Sequence, residues 1–236
     1  MMNLDHRSES KEYIDNPQID AKVLRQTYRE MKNINGCTFG YWPTMSAVAY
    51  FLARCPRGRA IRILDIGCGD GEVLRRIERY GRKRNYSLDL TGIDLNHEAI
   101  STAVALTNSR INYIQGDIFK MGENQTFDLI INSLTTHHLT DQEIIKLLQW
   151  MTSRARLGWS IADLDRQAVA YNFIKYFTRM GGFNYVICHD APLSVARGFR
   201  RSDWTNLIAQ AEINLGAARI FWYPNFRYGI RYEKPL

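Results

Sequence analysis

The stretch Ile63-Leu64-Asp65-Ile66-Gly67-Cys68-Gly69-Asp70-Gly71 restricts the fold more than any other part of the chain. An apolar run ends in an acidic residue, three glycines follow at alternate positions, and a polar helical pattern begins at Glu72. This reads as a buried parallel strand, a tight turn and a helix N-terminus, an arrangement that brings bare backbone against a small ligand. The dinucleotide spacing G-x-G-x-x-G would need glycine where Glu72 stands. The turn is therefore suited to close approach but lacks the pyrophosphate fingerprint.

Strand and helix patterns alternate from residue 61 onward, which implies a parallel sheet. Residues 62–66, 87–94, 111–115, 127–132 and 159–163 read as strands, with helices at 72–80, 98–107 and 141–152. Two helices come earlier. One, over 20–35, carries Val23, Leu24, Tyr28 and Met31 at helical spacing. The other is capped by Thr44 and runs to Leu52, with Pro43 at its entrance and Pro56 stopping it. The first 20 residues are polar and are expected to be loose at the start. After the fifth strand, residues 165–200 interrupt the alternation with Tyr171, Phe173, Tyr176, Phe177, Phe183 and Tyr185. Ser202 then caps a helix to Ala211, and segments 217–223 and 226–233 form a closing hairpin joined at Pro224-Asn225. Residues 1–58 are expected to form a helical cap. Residues 59–236 form the ligand-binding domain, with 165–200 as a helical cover.

The chain has 236 residues, enough for one α/β domain with additions, and its 45% hydrophobic content is that of a globular protein. Formal charge is 31 − 24 = +7, which favours anionic partners, RNA included. The densest basic run, residues 75–84, lies at the end of the helix after the glycine turn and reads as a solvated helix end. Cysteines 37, 55, 68 and 188 form no C-x-x-C pair. That argues against a zinc site or disulfide framework, so no metal is expected, and it fits a reducing, cytoplasmic setting. The opening residues lack an apolar core, so no signal peptide is expected. The longest apolar stretch, 45–53, is too short to span a bilayer.

Asp94 ends the second strand about twenty residues past the glycine turn, where a carboxylate can accept bonds from both hydroxyls of a ribose. Capping the next helix is its competing role, and Asn96 can take that over. With Asp94 and Gly116-Asp117-Ile118 after the third strand, the glycine turn resembles motif I of the class I S-adenosylmethionine (SAM)-dependent methyltransferases. The similarity is clearest over residues 60–165 and is nearest to the ubiquinone/menaquinone-biosynthesis type and related small-molecule enzymes. It implies a Rossmann-like, seven-stranded, mostly parallel α/β sheet with a C-terminal antiparallel hairpin. It also implies SAM as cofactor and S-adenosylhomocysteine (SAH) as product. The resemblance puts Asp65 on the methionine ammonium, Gly67 and Gly69 against the methionine, Asp117 on the adenine amino group and Ile118 over the ring. Cys68, Leu95 and Asn132 complete the expected cofactor contacts. Gly71 reads as a packing glycine and Cys68 as a small filler.

The loop after the fourth strand, Asn132-Ser133-Leu134-Thr135-Thr136-His137-His138, lies beside the methyl group in this kind of fold. It lacks the Asn/Asp-Pro-Pro-aromatic motif of enzymes that methylate exocyclic amines. His137 and His138 are the candidate general bases, since a hydroxyl acceptor must lose a proton. The aromatic insertion reads as a cover over an apolar acceptor. Tyr41, Trp42, Tyr171 and His189 are the candidate acceptor contacts, with His189-Asp190 a possible orienting pair. The resemblance points to methylation of a phenolic, quinone-like or polyketide acceptor, most simply at oxygen, as in secondary-metabolite pathways. Two alternatives stay open: an RNA methyltransferase, suggested by the positive charge, and a non-catalytic SAM-binding regulatory protein.

Overall fold

The computed structural model describes residues 3–235 apart from 17, 56, 57, 108, 109, 123 and 124. One seven-stranded sheet organises the chain. Its strands are β1 (Ile61–Ile66), β2 (Leu88–Asp94), β3 (Asn112–Gln115), β4 (Phe127–Ser133), β5 (Ala155–Leu164), β6 (Ala218–Tyr223) and β7 (Arg227–Glu233). They lie in the order β3-β2-β1-β4-β5-β7-β6. The first five are parallel; β7 runs antiparallel between β5 and β6.

Helices cover both faces, so the central strands are apolar along their whole length rather than on alternate residues. Side chains still divide by the period of two. Ile61, Ile63, Leu129 and Ile131 face one layer with Val48 and Phe51; Leu64, Ile66 and Ile130 face the other with Leu147 and Trp204. Each such fully buried aliphatic side chain contributes about 1.5–3 kcal/mol.

Among the described residues the eight α-helices are α1 (Ala21–Cys37), α2 (Trp42–Leu52), α3 (Glu72–Lys83), α4 (His97–Ala105), α5 (Asp141–Arg154), α6 (Ala168–Met180), α7 (Tyr185–Arg197) and α8 (Arg201–Gln210). Several boundaries differ from the sequence reading. α2 starts at Trp42 with Pro43 in its first turn, so Thr44 is not the cap; its buried hydroxyl instead meets that of Ser133 at 2.9 Å. Pro56 lies outside the described residues. α8 starts at Arg201 because the Asp203 carboxylate reaches back to the Arg200 N–H, which leaves Ser202 inside the first turn. α3 runs through Gly81, where a Cβ would fall 2.4 Å from the Leu88 side chain.

Residues 165–200 form α6 and α7, which pack on each other, with α7 also against α1. Their aromatics divide. Tyr171, Phe177 and Phe183 pack around Ile174 and Ile187, whereas Phe173, Tyr176 and Tyr185 are exposed.

Among the described residues before α1 the chain is tied down, while residues 1, 2 and 17 of the expected loose start lie outside the described residues. The Ser8 N–H donates to Ala196 O at 3.0 Å, and Arg7 donates to Leu139 O at 2.9 Å and pairs with Asp141. Asp190 accepts from the Tyr13 and Ile14 N–H groups at 2.8 and 2.9 Å. Polarity suggested solvation here; these polar groups instead fasten the segment across α7 and the loop after β4. The basic run also departs from expectation. Buried Glu72 gathers Lys32, Arg75, Arg76 and Arg79 at 3.2, 3.1, 2.9 and 3.4 Å, so much of the run is tied to one carboxylate. No described helix is long and apolar enough to cross a membrane.

Candidate functional site

A cavity of about 770 Å³ lies at the carboxyl ends of the first strands. Its floor is the turn after β1. Gly67 has φ 67°, and a Cβ there would lie 2.4 Å from the Thr135 side chain, so only glycine lets the two loops touch. Gly67 and Cys68 donate to Ile93 O at 2.8 and 3.1 Å, pinning the turn to β2. Gly69, at φ 53°, opens into the cavity and donates its N–H to Asp94 at 2.8 Å.

Asp94 accepts that bond on one oxygen and the Asn96 N–H at 2.9 Å on the other, keeping lone pairs for a ligand. Asn96 caps α4 through Glu98 and Ala99, so capping does not need Asp94. Asp65, only 1% exposed, has no hydrogen-bond partner for either carboxylate oxygen among the described residues. Burial, then the charge of Asp94, hold its pKa well above the ordinary carboxylate range. Burial also raises Asp94, against the pull of its N–H donors. Two desolvated carboxyls, one with no partner, suit a ligand that brings positive charge and N–H or O–H donors.

Leu95, Asp117 and Ile118 line the same cavity; Asp117 also accepts the Phe119 N–H at 2.9 Å. Cys68 is buried there and burial pushes its thiol pKa up, consistent with a filler. Asn132 lines the cavity, and each end of its amide makes one bond within the protein. Nδ2 donates to Ile66 O at 2.9 Å, and Oδ1 accepts from the Thr136 hydroxyl at 2.6 Å. Tyr28 of α1 is a wall residue that strand-end reasoning missed.

A second cavity of about 340 Å³ lies between α1, α6 and α7. Ile34, Leu164, Ile174, Ile187 and Val195 make it apolar, and its size suits a small ring system. Ile14, Met31, Asn35, Leu134 and His138 line both cavities. Leu134 holds φ 56°, a strained value for a non-glycine, at this shared wall.

The two histidines differ. His137 is buried, lines only the second cavity, and gives both its N–H (3.0 Å) and Nδ1 (2.7 Å) to Asp163. His138 faces both cavities, with Nδ1 3.1 Å from Asp15 and Nε2 3.8 Å from Glu12. Burial pulls the His138 pKa down, but the bond to Asp15 and the charges of Glu12 and Asp15 outweigh it, and the net direction is up. Burial raises Glu12. Glu12, His137 and His138 bring ligand-type atoms within 4.8 Å of one another, a spacing a metal ion could use. Arg197 already stands 3.8 Å from the Glu12 carboxylate and donates to His137 O, so the cluster has its cation. Cysteine spacing could not reveal this group.

Of the expected acceptor contacts, Tyr41 lines the first cavity beneath the Arg76 guanidinium. The other three line neither cavity. Trp42 is 50% exposed and meets Tyr223 edge-on. Tyr171 lines a separate polar groove with Asp165 and Lys175. His189 does pair with Asp190 at 2.6 Å, but its ring stacks on Tyr13, so the pair fastens the N-terminal segment.

Residues 63–158 match the model of a family described as a methyltransferase domain. The plantazolicin methyltransferase BpumL, solved with a monoazolic desmethylPZN analog and SAH, is 16% identical with TM-score 0.64, over 94% of this chain and 98% of that one. The plantazolicin methyltransferase BamL is 16% identical with TM-score 0.63, over 91% of each chain. Magnesium protoporphyrin IX methyltransferase (ChlM) from Synechocystis PCC 6803, with bound SAM, is 12% identical with TM-score 0.51, over 96% of this chain and 87% of that one. At these identities the likeness is one of fold.

Proposed function

Taking the chain as a class I SAM-dependent methyltransferase, we propose that it methylates a hydroxyl oxygen of an apolar, ring-bearing small molecule held between α1, α6 and α7. One observation carries this reading: His138 faces both cavities and is held from behind by a carboxylate. The first cavity is the cofactor's. Asp94 takes the ribose hydroxyls, and unpartnered Asp65 takes the ammonium. Asp117 takes the adenine amino group, with Ile118 and Leu95 on the ring. The backbone at Gly67 and Gly69 lies along the methionine. Asn132 is at the cavity wall with one amide N–H and one Oδ1 lone pair left for the cofactor after its bonds to Ile66 O and the Thr136 hydroxyl.

Bound SAM supplies an electrophilic methyl on a sulfonium. The chain's own task is chiefly to align the acceptor and remove its proton. His138 Nε2 takes the hydroxyl proton, and Asp15 at Nδ1 stabilises the imidazolium that results; such help is worth about 10²–10⁴-fold. His137 is a positioning residue: Asp163 locks its ring, and its carbonyl anchors Arg7 and Arg197. A cavity of about 340 Å³ with mostly apolar walls favours a small acceptor over RNA. Four free cysteines accord with a cytoplasmic location.

The test is turnover of SAM by the purified protein with phenols and hydroxyquinones, read as SAH formation and a gain of one methyl by mass spectrometry. Methylated product supports the reading. Tight SAM binding without any product would favour a regulatory SAM-binding protein. Retention of RNA with a steep salt dependence, together with RNA methylation, would favour the nucleic-acid alternative.

A further inference from the structure

We propose that Arg227 and Asn225 form an oxyanion-binding subsite in the acceptor cavity, so that the acceptor carries a carboxylate besides the hydroxyl that is methylated. This rests on the reading of the second cavity as the acceptor site. Both residues line that cavity, at the turn from β6 into β7.

Three arginines of the described chain are less than a tenth exposed: Arg166 at 2%, Arg197 at 8% and Arg227 at 9%. Arg166 donates through Nε to Leu4 O, through Nη1 to Gly198 O and Asp203, and through Nη2 to Asp5 O. Arg197 donates through Nε to His137 O and faces Glu12. Arg227 is different. Nη1 donates to the carbonyls of Asn225 and Phe226, at 3.1 and 3.3 Å, but buried Nε has no partner and no carboxylate lies within ion-pair distance among the described residues.

The carboxylate whose charge supports Arg227 is Asp163, and its oxygens are spent on His137 and the Leu164 N–H. Burial accordingly lowers the Arg227 pKa to about 10. Asn225 repeats the pattern. Its Nδ2 is held by the carbonyls of Thr38 and Phe39 at 3.2 and 2.9 Å, which fixes the amide, while buried Oδ1 accepts nothing. An unmet donor on a cation two residues from an unmet acceptor, both on residues that line the cavity, suits an anionic oxygen next to an O–H or N–H; the carboxylates that also line it, Glu12 and Asp190, are already paired with Arg197 and with the Tyr13 and Ile14 N–H groups. The turn-shaping bonds of Nη1 explain an arginine here, but not an orphaned Nε two residues from an orphaned amide oxygen.

Position supports the assignment. Arg227 pairs with Leu164 in the β5–β7 register, one residue beyond Asp163, which holds His137. An acid anchored there lies in the same cavity as His138, so anchoring can also set which hydroxyl meets the base.

The experiment measures binding of a hydroxynaphthoate, its carboxamide and plain naphthol to the SAH-loaded protein by calorimetry. The acid is expected to bind the wild type about tenfold or more tightly than the carboxamide. Arg227→Met should erase that preference while leaving naphthol and SAH affinity unchanged, and Arg227→Lys should keep part of it. Equal affinity of acid and carboxamide for the wild type overturns the subsite and leaves the acceptor cavity standing; that comparison needs no variant. Acid preference that survives in Arg227→Met also overturns it. Failure of all three compounds to bind SAH-loaded protein, with SAH itself bound normally, overturns the cavity's role as acceptor site and the subsite with it.

Discussion

The two cavities that meet at His138 are made from different kinds of chain. The first takes its polar groups from successive strand ends, at Asp65, Asp94 and Asp117, each a few residues from the backbone it organises. The second takes them from segments far apart in the chain: Glu12, the histidine loop, Asp190 and Ser194 on α7, and Arg227. Their unmet groups differ too. In the first, the buried group without a hydrogen-bond partner is the Asp65 carboxyl; in the second, they are a Glu12 carboxylate oxygen, the Asn225 amide oxygen and the Arg227 Nε. A parallel sheet delivers the floor of the first cavity by topology, with α1 and the segment before it as a wall, whereas the second is lined by residues from both ends of the chain.

The strongest test of that division is His138→Ala. With the proposed base removed, kcat is expected to fall about 10²–10³-fold. SAM affinity should hold within about twofold, because the carboxyl groups assigned to the cofactor are untouched. A matching loss of SAM binding by calorimetry would show that the cavities are not separable. Asp94→Ala is the converse: SAM and SAH binding should weaken by more than about tenfold, as expected when two strong hydrogen bonds are lost. Unchanged binding would remove Asp94 from the ribose.

Gly67→Ala probes the seam between the loops. A Cβ 2.4 Å from Thr135, on a backbone at φ 67°, should cost about 1–3 kcal/mol in denaturant unfolding. A neutral result would mean that the loops can part freely. Proton transfer gives a smaller, directional test. The base works unprotonated, and its pKa lies above the ordinary histidine value, so kcat/KM should fall as pH drops through that raised pKa. Asp15→Asn removes the negative charge that helps raise it while keeping an acceptor, so the rising limb should move to lower pH. No movement would take Asp15 away from the base. The smallest effect belongs to Trp42→Ala, which should change kcat/KM by about twofold at most, since the side chain lines neither cavity.

What could be read without coordinates follows the same division. The mostly parallel sheet, the glycine turn and the strand-end positions of Asp94 and Asp117 were legible because strand-end chemistry is local: apolar run, turn, carboxylate. Glu12 and Asp15 were not, because a polar stretch looks the same whether water or a buried histidine receives its side chains. Trp42 and His189 show the limit from the other side. Aromatic character marks a residue for burial or stacking but does not say against what, and Tyr223 and Tyr13 claimed them. Arg227 looked like any strand-start arginine. Its burial without a carboxylate in ion-pair distance among the described residues singles it out, and a missing partner has no sequence pattern.

Ile14, Met31, Asn35, Leu134 and His138 belong to both cavities, so under the proposed assignment the same five side chains meet both ligands. A cofactor that settles this wall in one arrangement changes acceptor affinity by some factor, and acceptor then changes cofactor affinity by the same factor. The order in which the two ligands arrive is thus a matter of their concentrations and rates, while the strength of their mutual effect is a property of five side chains.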